Sequence, residues 1–422
     1  MDAIEAKNVS FVGYHDLEDR PGLKMGLQAV DGRLYLYLAH VWHSGWSILD
    51  VTDPSEPELV SFVEGPANTR TIQMQVADGK MVTSLEAPLD GWGPLGESMD
   101  PSDPYEEGVY IWDVETDPTS PELLGEYHTG GDGTHRNHYD GGDYVYLTSK
   151  PAEFEGPMLE ILDISEPTDP TVASRWWWPG QGPDDEEDAT EPSYFHGPAY
   201  PVGDRAYLAY GHVGMVVLDI SDIHDPKFVT RASFGNLGSS LGTHSAVPIP
   251  DTDLVVVNDE AMHEGLPTED GEPLNYAYLV DVSDESLPSF DWTQYSGPTV
   301  VSALPQPRPE PHVEYANYHE KPGRFGPHNQ HHYQYQDEHY KPGDVVVMGW
   351  FNAGLRLYDV SDPLAPTEVG HYVPRDPPKR INDRRPASGL VSYVDDVLID
   401  SRGYIYCTDP NQGLFVLESP LL

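Results

Sequence analysis

The chain reads as all-β, a seven-bladed β-propeller, and three observations predict it. A short apolar strand followed by Asp, Val or Ile, a small polar residue and a proline about seven positions on recurs six times, at Asp50, Asp113, Asp163, Asp219, Asp281 and Asp359, with a truncated seventh copy at Gly413–Glu418. The repeat length suits one blade of four short strands, which cannot bury both faces alone and must stack on its neighbours. The last copy lacks a fourth strand, while the N-terminus offers a spare one before the first full repeat, Asn8 to Tyr14. That segment is expected to complete blade seven and close the ring, removing open sheet edges.

The first repeat shows the elements in order. Gly26–Val30 is a short strand that ends in Asp31-Gly32, a pair able to supply the positive φ of a tight hairpin. Leu34–Ala39 returns, rich in β-formers, and Gly45–Val51 is the third strand. The Asp-Pro-x-x-Pro turn follows, because proline fixes φ and cannot donate to a ladder. Leu59–Val63 is the fourth strand. The repeated Asp is expected to cap its turn rather than to act in chemistry. Extended along the chain, the pattern makes one domain of blades at 24–64, 70–130, 133–180, 193–235, 242–297, 326–374 and 388–422 plus 8–14.

The sentence Leu/Val-Ile/Val-x-Asp-Val/Ile-Ser-Asp-Pro resembles the LVIVD repeat, a β-propeller repeat, over nearly the whole chain. The resemblance implies the architecture and no particular activity. The Asp-Ile-Ser-Asp-Pro blades are also remotely similar to those of selenium-binding protein / methanethiol oxidase. The extended cysteine-bearing motifs of that family are not found here, so its activity does not transfer.

Composition bounds the partners. There are 71 acidic and 23 basic residues, net −48, and the acids are spread over every blade. A scattered acidic surface with only eight lysines suits high salt, where repulsion is screened. The charge disfavours nucleic acid, and no Asp-x-Asp-x-Asp-Gly loop points to calcium. No run approaches transmembrane length and the N-terminus carries no leader-like stretch, so a soluble cytoplasmic protein without membrane contact is the simplest expectation. The oligomeric state is not legible. The single cysteine, Cys407, falls in a predicted inner strand and is expected in the core.

Candidate chemistry sits on histidine. When the first strands are aligned by their hairpin turns, four consecutive blades carry histidine near the start: His135, His196, His244 and His328. The innermost strand of a blade lines the channel, so these four converge on the axis. Imidazole is a common metal ligand, and an all-nitrogen set suits Fe, Cu, Mn or Zn over Mg or Ca. The arrangement looks like the iron site of carotenoid-cleaving oxygenases, by architectural analogy only. One transition-metal ion is expected there, iron or manganese first, copper or zinc next. His138, His331 and His332 lie one or two strand positions away and are alternative ligands, acid–base groups or partners of ligands. His138, Arg136 and His332 are the candidate catalytic residues. His40, His43 and His212 fall on the same rim. Gln73, Tyr393 and Asp395 hold roughly equivalent inner positions in blades two and seven, and Arg70 is a further candidate anion binder.

Loop length points to the same rim. The turns on one rim are short, whereas the insertions at Glu86–Gly108, Pro179–Ser193, Glu260–Leu274, Gly297–Phe325 and Pro374–Ser388 are all expected on the histidine rim. Trp176, Trp177 and Trp178, with Trp92, Trp350 and Phe351, are candidates to wall an apolar pocket. No P-loop, strand-borne Gly-x-Gly-x-x-Gly or His-Glu-x-x-His is present. The expected function is a mononuclear metalloenzyme acting on a small organic molecule. Oxidation or oxygenation comes first, then lyase or hydrolase chemistry with manganese or zinc. A non-catalytic propeller that binds a partner through its long-loop rim is the other class.

Overall fold

The computed structural model describes residues 3–89, 98–185, 194–234, 241–262, 275–290, 294–379 and 390–422. Seven four-stranded antiparallel sheets form the blades of a propeller. Blade one shows the scheme: Gly22–Val30 innermost, then Arg33–His40, Gly45–Asp50 and Glu58–Glu64. The innermost strands of blades two to five are Met74–Ala77, Gly131–Thr134, Ala199–Val202 and Thr243–Pro248, and that of blade seven is Asp396–Ile399. In blade six the inner place is taken by residues 328–332. Their bonds to Val345–Gly349 include His328 N to Gly349 O (2.9 Å) and His331 N to Val347 O (2.9 Å). The hairpin signals act as read: Asp31 and Gly32 have φ of 50° and 76°, and Asp78 and Gly79 of 49° and 70°.

All six repeated aspartates cap their turns. Each accepts the backbone N–H two residues on, from Asp50 with Thr52 (2.9 Å) to Asp359 with Ser361 (2.9 Å). The sequence repeat therefore preserves a turn, and the chemistry lies elsewhere.

Among the described residues the apolar core is divided between the blades. Seven apolar clusters fill the seven interfaces between neighbouring blades. Tyr37 and Ile48 of blade one meet Met74 and Val76 of blade two, and Met215 and Val217 of blade four meet Val255 and Val257 of blade five. At about 25 cal/mol per Å² of apolar surface buried, each interface is the main stabiliser of the two blades it joins. Cys407 is buried in the cluster between blades six and seven, in the second strand of blade seven rather than the inner one. Trp176 and Trp178 are likewise interface residues, edge-on or tilted to Tyr210 of blade four at 5.7 and 6.4 Å. They wall no pocket, because the strand alternation turns both rings into the seam. Trp92 lies outside the described residues.

Ring closure is as expected and more extensive. Ser10–His15 pairs with Gly413–Glu418 and completes blade seven. In addition, Ala3–Lys7 pairs with Thr367–Pro374 as an extra outer strand on blade six. Its Glu5 is buried and accepts bonds from Arg356 Nη2 (3.1 Å), Glu310 N (2.7 Å) and the Tyr318 hydroxyl, while Arg356 Nη1 reaches Glu368 (3.2 Å). The first fifteen residues thus fasten two blades in succession.

Three expectations are corrected. Blade five takes its outer strand from Thr299–Ala303, after a small hairpin of Ser289–Phe290 and Tyr295–Ser296, so the blade extends beyond residue 297. Blade seven, read from residue 388, begins its inner strand only at Asp396, because Tyr393, Asp395 and Asp396 first bond Asp409 and Thr408 through their backbone N–H groups. Not every long connection lies on the histidine rim. Residues 333–344 cross the opposite rim, where Gln334 bonds Gln75 (2.6 Å), Gln336 bonds Asp140 O (2.8 Å), and Glu338 accepts Ala29 N (2.9 Å). Glu338 O also accepts Ser401 N (2.7 Å). This strap ties blade six to blades one, two, three and seven across the end of the channel.

Candidate metal centre

The aligned histidines come together. His196 lies in the lead-in to the inner strand of blade four, His328 opens residues 328–332 of blade six, and His135 and His244 lie on or directly after the inner strands of blades three and five. His135 follows Gly131–Thr134 and is anchored by its N–H to Thr148 O (2.9 Å); His244 is the second residue of Thr243–Pro248, at a register shift. Ring centroids lie 5.2 Å apart for His135 and His196, 4.6 Å for His196 and His244, and 4.7 Å for His244 and His328. The four blades thus line up an arc of imidazoles, in which His196, His244 and His328 share one carboxylate and His135 is paired with another.

The ring nitrogens divide their labour. His135 Nδ1 bonds Glu86 Oε2 (3.0 Å), His244 Nδ1 lies 3.0 Å from Ser245 Oγ, and His328 Nδ1 donates to Asp395 O (2.6 Å). The Nε2 atoms of His196, His244 and His328 face one carboxylate, Glu260, at 3.9, 3.4 and 3.7 Å. His196, His244 and Glu260 offer ligand atoms within 4.8 Å of one another. A ligand histidine held by its other nitrogen is the arrangement that orients a metal ligand. His196, His244 and Glu260 are thus a group that could hold a metal ion.

Electrostatics keep the rings ready. Burial, reinforced by the nearby Arg136 charge, holds His196 and His244 well below the usual histidine range. Burial lowers His328 to about 3 against the opposing pull of Glu260. Neutral imidazole is the form that binds metal. Burial alone would raise Glu260, but Arg324, bonded to it at 2.7 Å, and His328 hold it below its ordinary value.

Arg136 sits against these rings. Its guanidinium donates to Gly197 O (2.6 Å), His244 O, Ser245 Oγ (3.1 Å) and Asn329 Oδ1 (3.0 Å), and lies 3.3 Å from His196 Nδ1. It ties blade three to blades four, five and six, and both its terminal nitrogens are bonded to the protein. Arg70 is paired with Glu86 at 3.2 Å. His138 and His332 lie outside the cavity lining and pair with each other (5.6 Å between centroids) and with Tyr200 (5.0 and 5.3 Å). His331 accepts Ile399 N (3.2 Å) and donates to Tyr340 O (2.8 Å), so both its nitrogens are occupied. His40 is similarly held by Ser47 and Pro21. Phe351 stacks on His328 at 4.5 Å and Tyr393 on Phe351 at 4.7 Å.

Glu86 and Glu260 are the residues that sequence reading missed. Both directly follow the second strand of their blade, after Lys80–Leu85 and Leu254–Asp259, and their shared position was the available signal. They had registered only as the first residues of insertions.

A cavity of about 900 Å³ opens above the histidines, which line its floor. A site at the base of a large concavity, under the long-loop rim, is where a small molecule is met.

A family model of the LVIVD repeat matches residues 29–64, 141–176, 202–232 and 343–373. No curated protein matches the chain. Among solved structures, the computationally designed Ika8 protein is similar at 8% identity and a TM-score of 0.49, over 98% of this chain and 99% of that one, a likeness too slight to carry argument. The chain is a seven-bladed β-propeller that carries LVIVD repeats.

Proposed function

We propose that this propeller is a metal-dependent enzyme in which His135, His196, His244 and His328 hold one transition-metal ion at the cavity floor, with Glu260 beside them. The observation that carries this reading is the convergence of three Nε2 atoms on one buried carboxylate at the base of a 900 Å³ cavity. Imidazoles with a hard carboxylate suit iron or manganese, with copper and zinc as the alternatives. Such an ion supplies oxidation or oxygenation of a small organic molecule; manganese or zinc would instead supply Lewis-acid chemistry for a lyase or hydrolase. Arg136 acts by positioning, since it locks the backbone beneath His196 and His244.

The test is elemental analysis of protein purified without a histidine tag. Wild type should carry about one metal per chain, and each single His→Ala variant should fold and lose most of it. Glu260→Gln should weaken binding by about 10–100-fold. No metal in wild type, even after reconstitution with Fe, Mn, Cu and Zn, would leave the partner-binding scaffold ahead.

We also propose a working environment of concentrated salt for this acidic chain, free of nucleic-acid and membrane partners. No helix among the described residues is long and apolar enough to cross a membrane. With a net charge of −48 and a Debye length of about 30 Å at 0.01 M salt, self-repulsion is strong when salt is low. The melting temperature should rise between 0.01 M and 2 M salt; a flat profile would remove the argument.

A further inference from the structure

The cavity has two unlike halves. Blades three to six supply the histidines. At the corresponding turn of blade one stands Leu23: Gly22 pairs with His40 just before the same register shift that precedes His244 after Thr243 pairs with Asp259. Blade two supplies Ile72 and blade seven Val391, and both line the same cavity. Leu23, Ile72 and Trp42 form a small apolar cluster with Val41, separate from the seven between blades. Higher up, Leu89 and Met262 line the cavity and are 43% and 41% exposed. Leu23, Trp42, Ile72 and Val391 therefore give the cavity an apolar strip on blades seven, one and two, which they share with Gln73, Asp395 and Asn411, apart from the imidazole arc of blades three to six.

The charges of the wall are already engaged. Arg70 is bonded to Glu86 and Arg324 to Glu260, at 3.2 and 2.7 Å, and Lys150 is bonded to Asp132. Arg136 is held by backbone and side-chain acceptors. Each cation among the described lining residues thus has a protein partner. A ligand carboxylate lying along this wall would have to displace one of them or stay unpaired, and an unpaired buried charge is strongly disfavoured.

Building on the metal reading of the floor, we infer that the substrate is an uncharged, predominantly apolar organic molecule. Its body lies against Leu23, Trp42, Ile72 and Val391, and its reactive group points at the histidines. A pocket of this volume accommodates a drug-sized molecule.

Binding is tested on metal-free protein, so that it does not depend on the ion. The probes are biphenyl-4-methanol and biphenyl-4-carboxylate, which share an apolar body and differ in charge, titrated calorimetrically at one salt concentration. The alcohol should bind at least about tenfold more tightly than the carboxylate. Ile72→Asp should weaken the alcohol by about tenfold or more, and Leu287→Asp, at a remote exposed position, should leave it unchanged. If Ile72→Asp does not fold, Leu89→Asp at the exposed mouth serves in its place. Equal or tighter binding of the carboxylate, no binding of the alcohol, or binding indifferent to both cavity substitutions would overturn the inference. If the alcohol binds as expected but the metal analysis is negative, the substrate class stands and only the metal reading falls. If metal is present but the alcohol does not bind, the reverse holds.

Discussion

Deletion of residues 1–14 is expected to lower the melting temperature sharply, more than any single substitution discussed here. The deletion removes the outer strand of blade seven nearly whole and the extra strand of blade six entirely. It also takes away Glu5, which leaves Arg356, with no exposed surface, short of one of its two carboxylate partners. Breaking a buried ion pair by removing one partner costs about 3–5 kcal/mol, to which the lost strand pairing and a newly open edge add. Thermal melting of the truncated chain beside wild type is the measurement. Deletion of residues 1–8 alone separates the two clasps, since it spares Ser10–His15. An unchanged melt for the longer deletion would sink the closure scheme.

The second large effect is a pH-dependent loss of stability at Asp409. Burial, with the Asp395 charge adding, raises this carboxyl from 3.8 to about 7 against bonds donated by Tyr393 N, Asn411 N and Gln412. The folded chain therefore holds a proton that the unfolded chain has already released. The contribution of this group is present in full below pH 4 and is lost as pH rises through 7. At about 1.4 kcal/mol per pH unit this is at most about 4 kcal/mol. Asp409→Asn cannot ionise. Its stability relative to wild type should be lowest at pH 4 and should climb until about pH 8. Parallel profiles for the two proteins across pH 4 to 8 would show that Asp409 is ionised throughout.

The blades were legible because their determinants are local. Asp31-Gly32 and Asp78-Gly79 specify hairpins within two residues, and the Asp-x-Ser/Thr turn carries its own hydrogen bond. Repetition then multiplies a weak local signal. The convergence of His135, His196, His244 and His328 was legible for the same reason, since equivalent positions in equivalent blades must face one axis. Ala3–Lys7 was not legible: five residues without a turn signal pair with a strand some 370 positions away, and the contacts that hold the pairing, such as buried Glu5 with Arg356, Tyr318 and Glu310, form only in the folded chain.

The sequence by itself determined the number of blades, the closing strand of blade seven and the residues offered to the axis, because each depends on repeat periodicity and short-range backbone preference. Tertiary structure alone decided which neighbours those residues meet. It set Glu260 opposite three imidazoles and Arg136 among backbone and side-chain acceptors of three other blades, and drew residues 333–344 across the far end of the channel. It also placed Leu23, Ile72 and Val391 in one cavity with the histidines. These are distances between blades, fixed by how seven apolar interfaces close a circle, and no local preference of the chain encodes them.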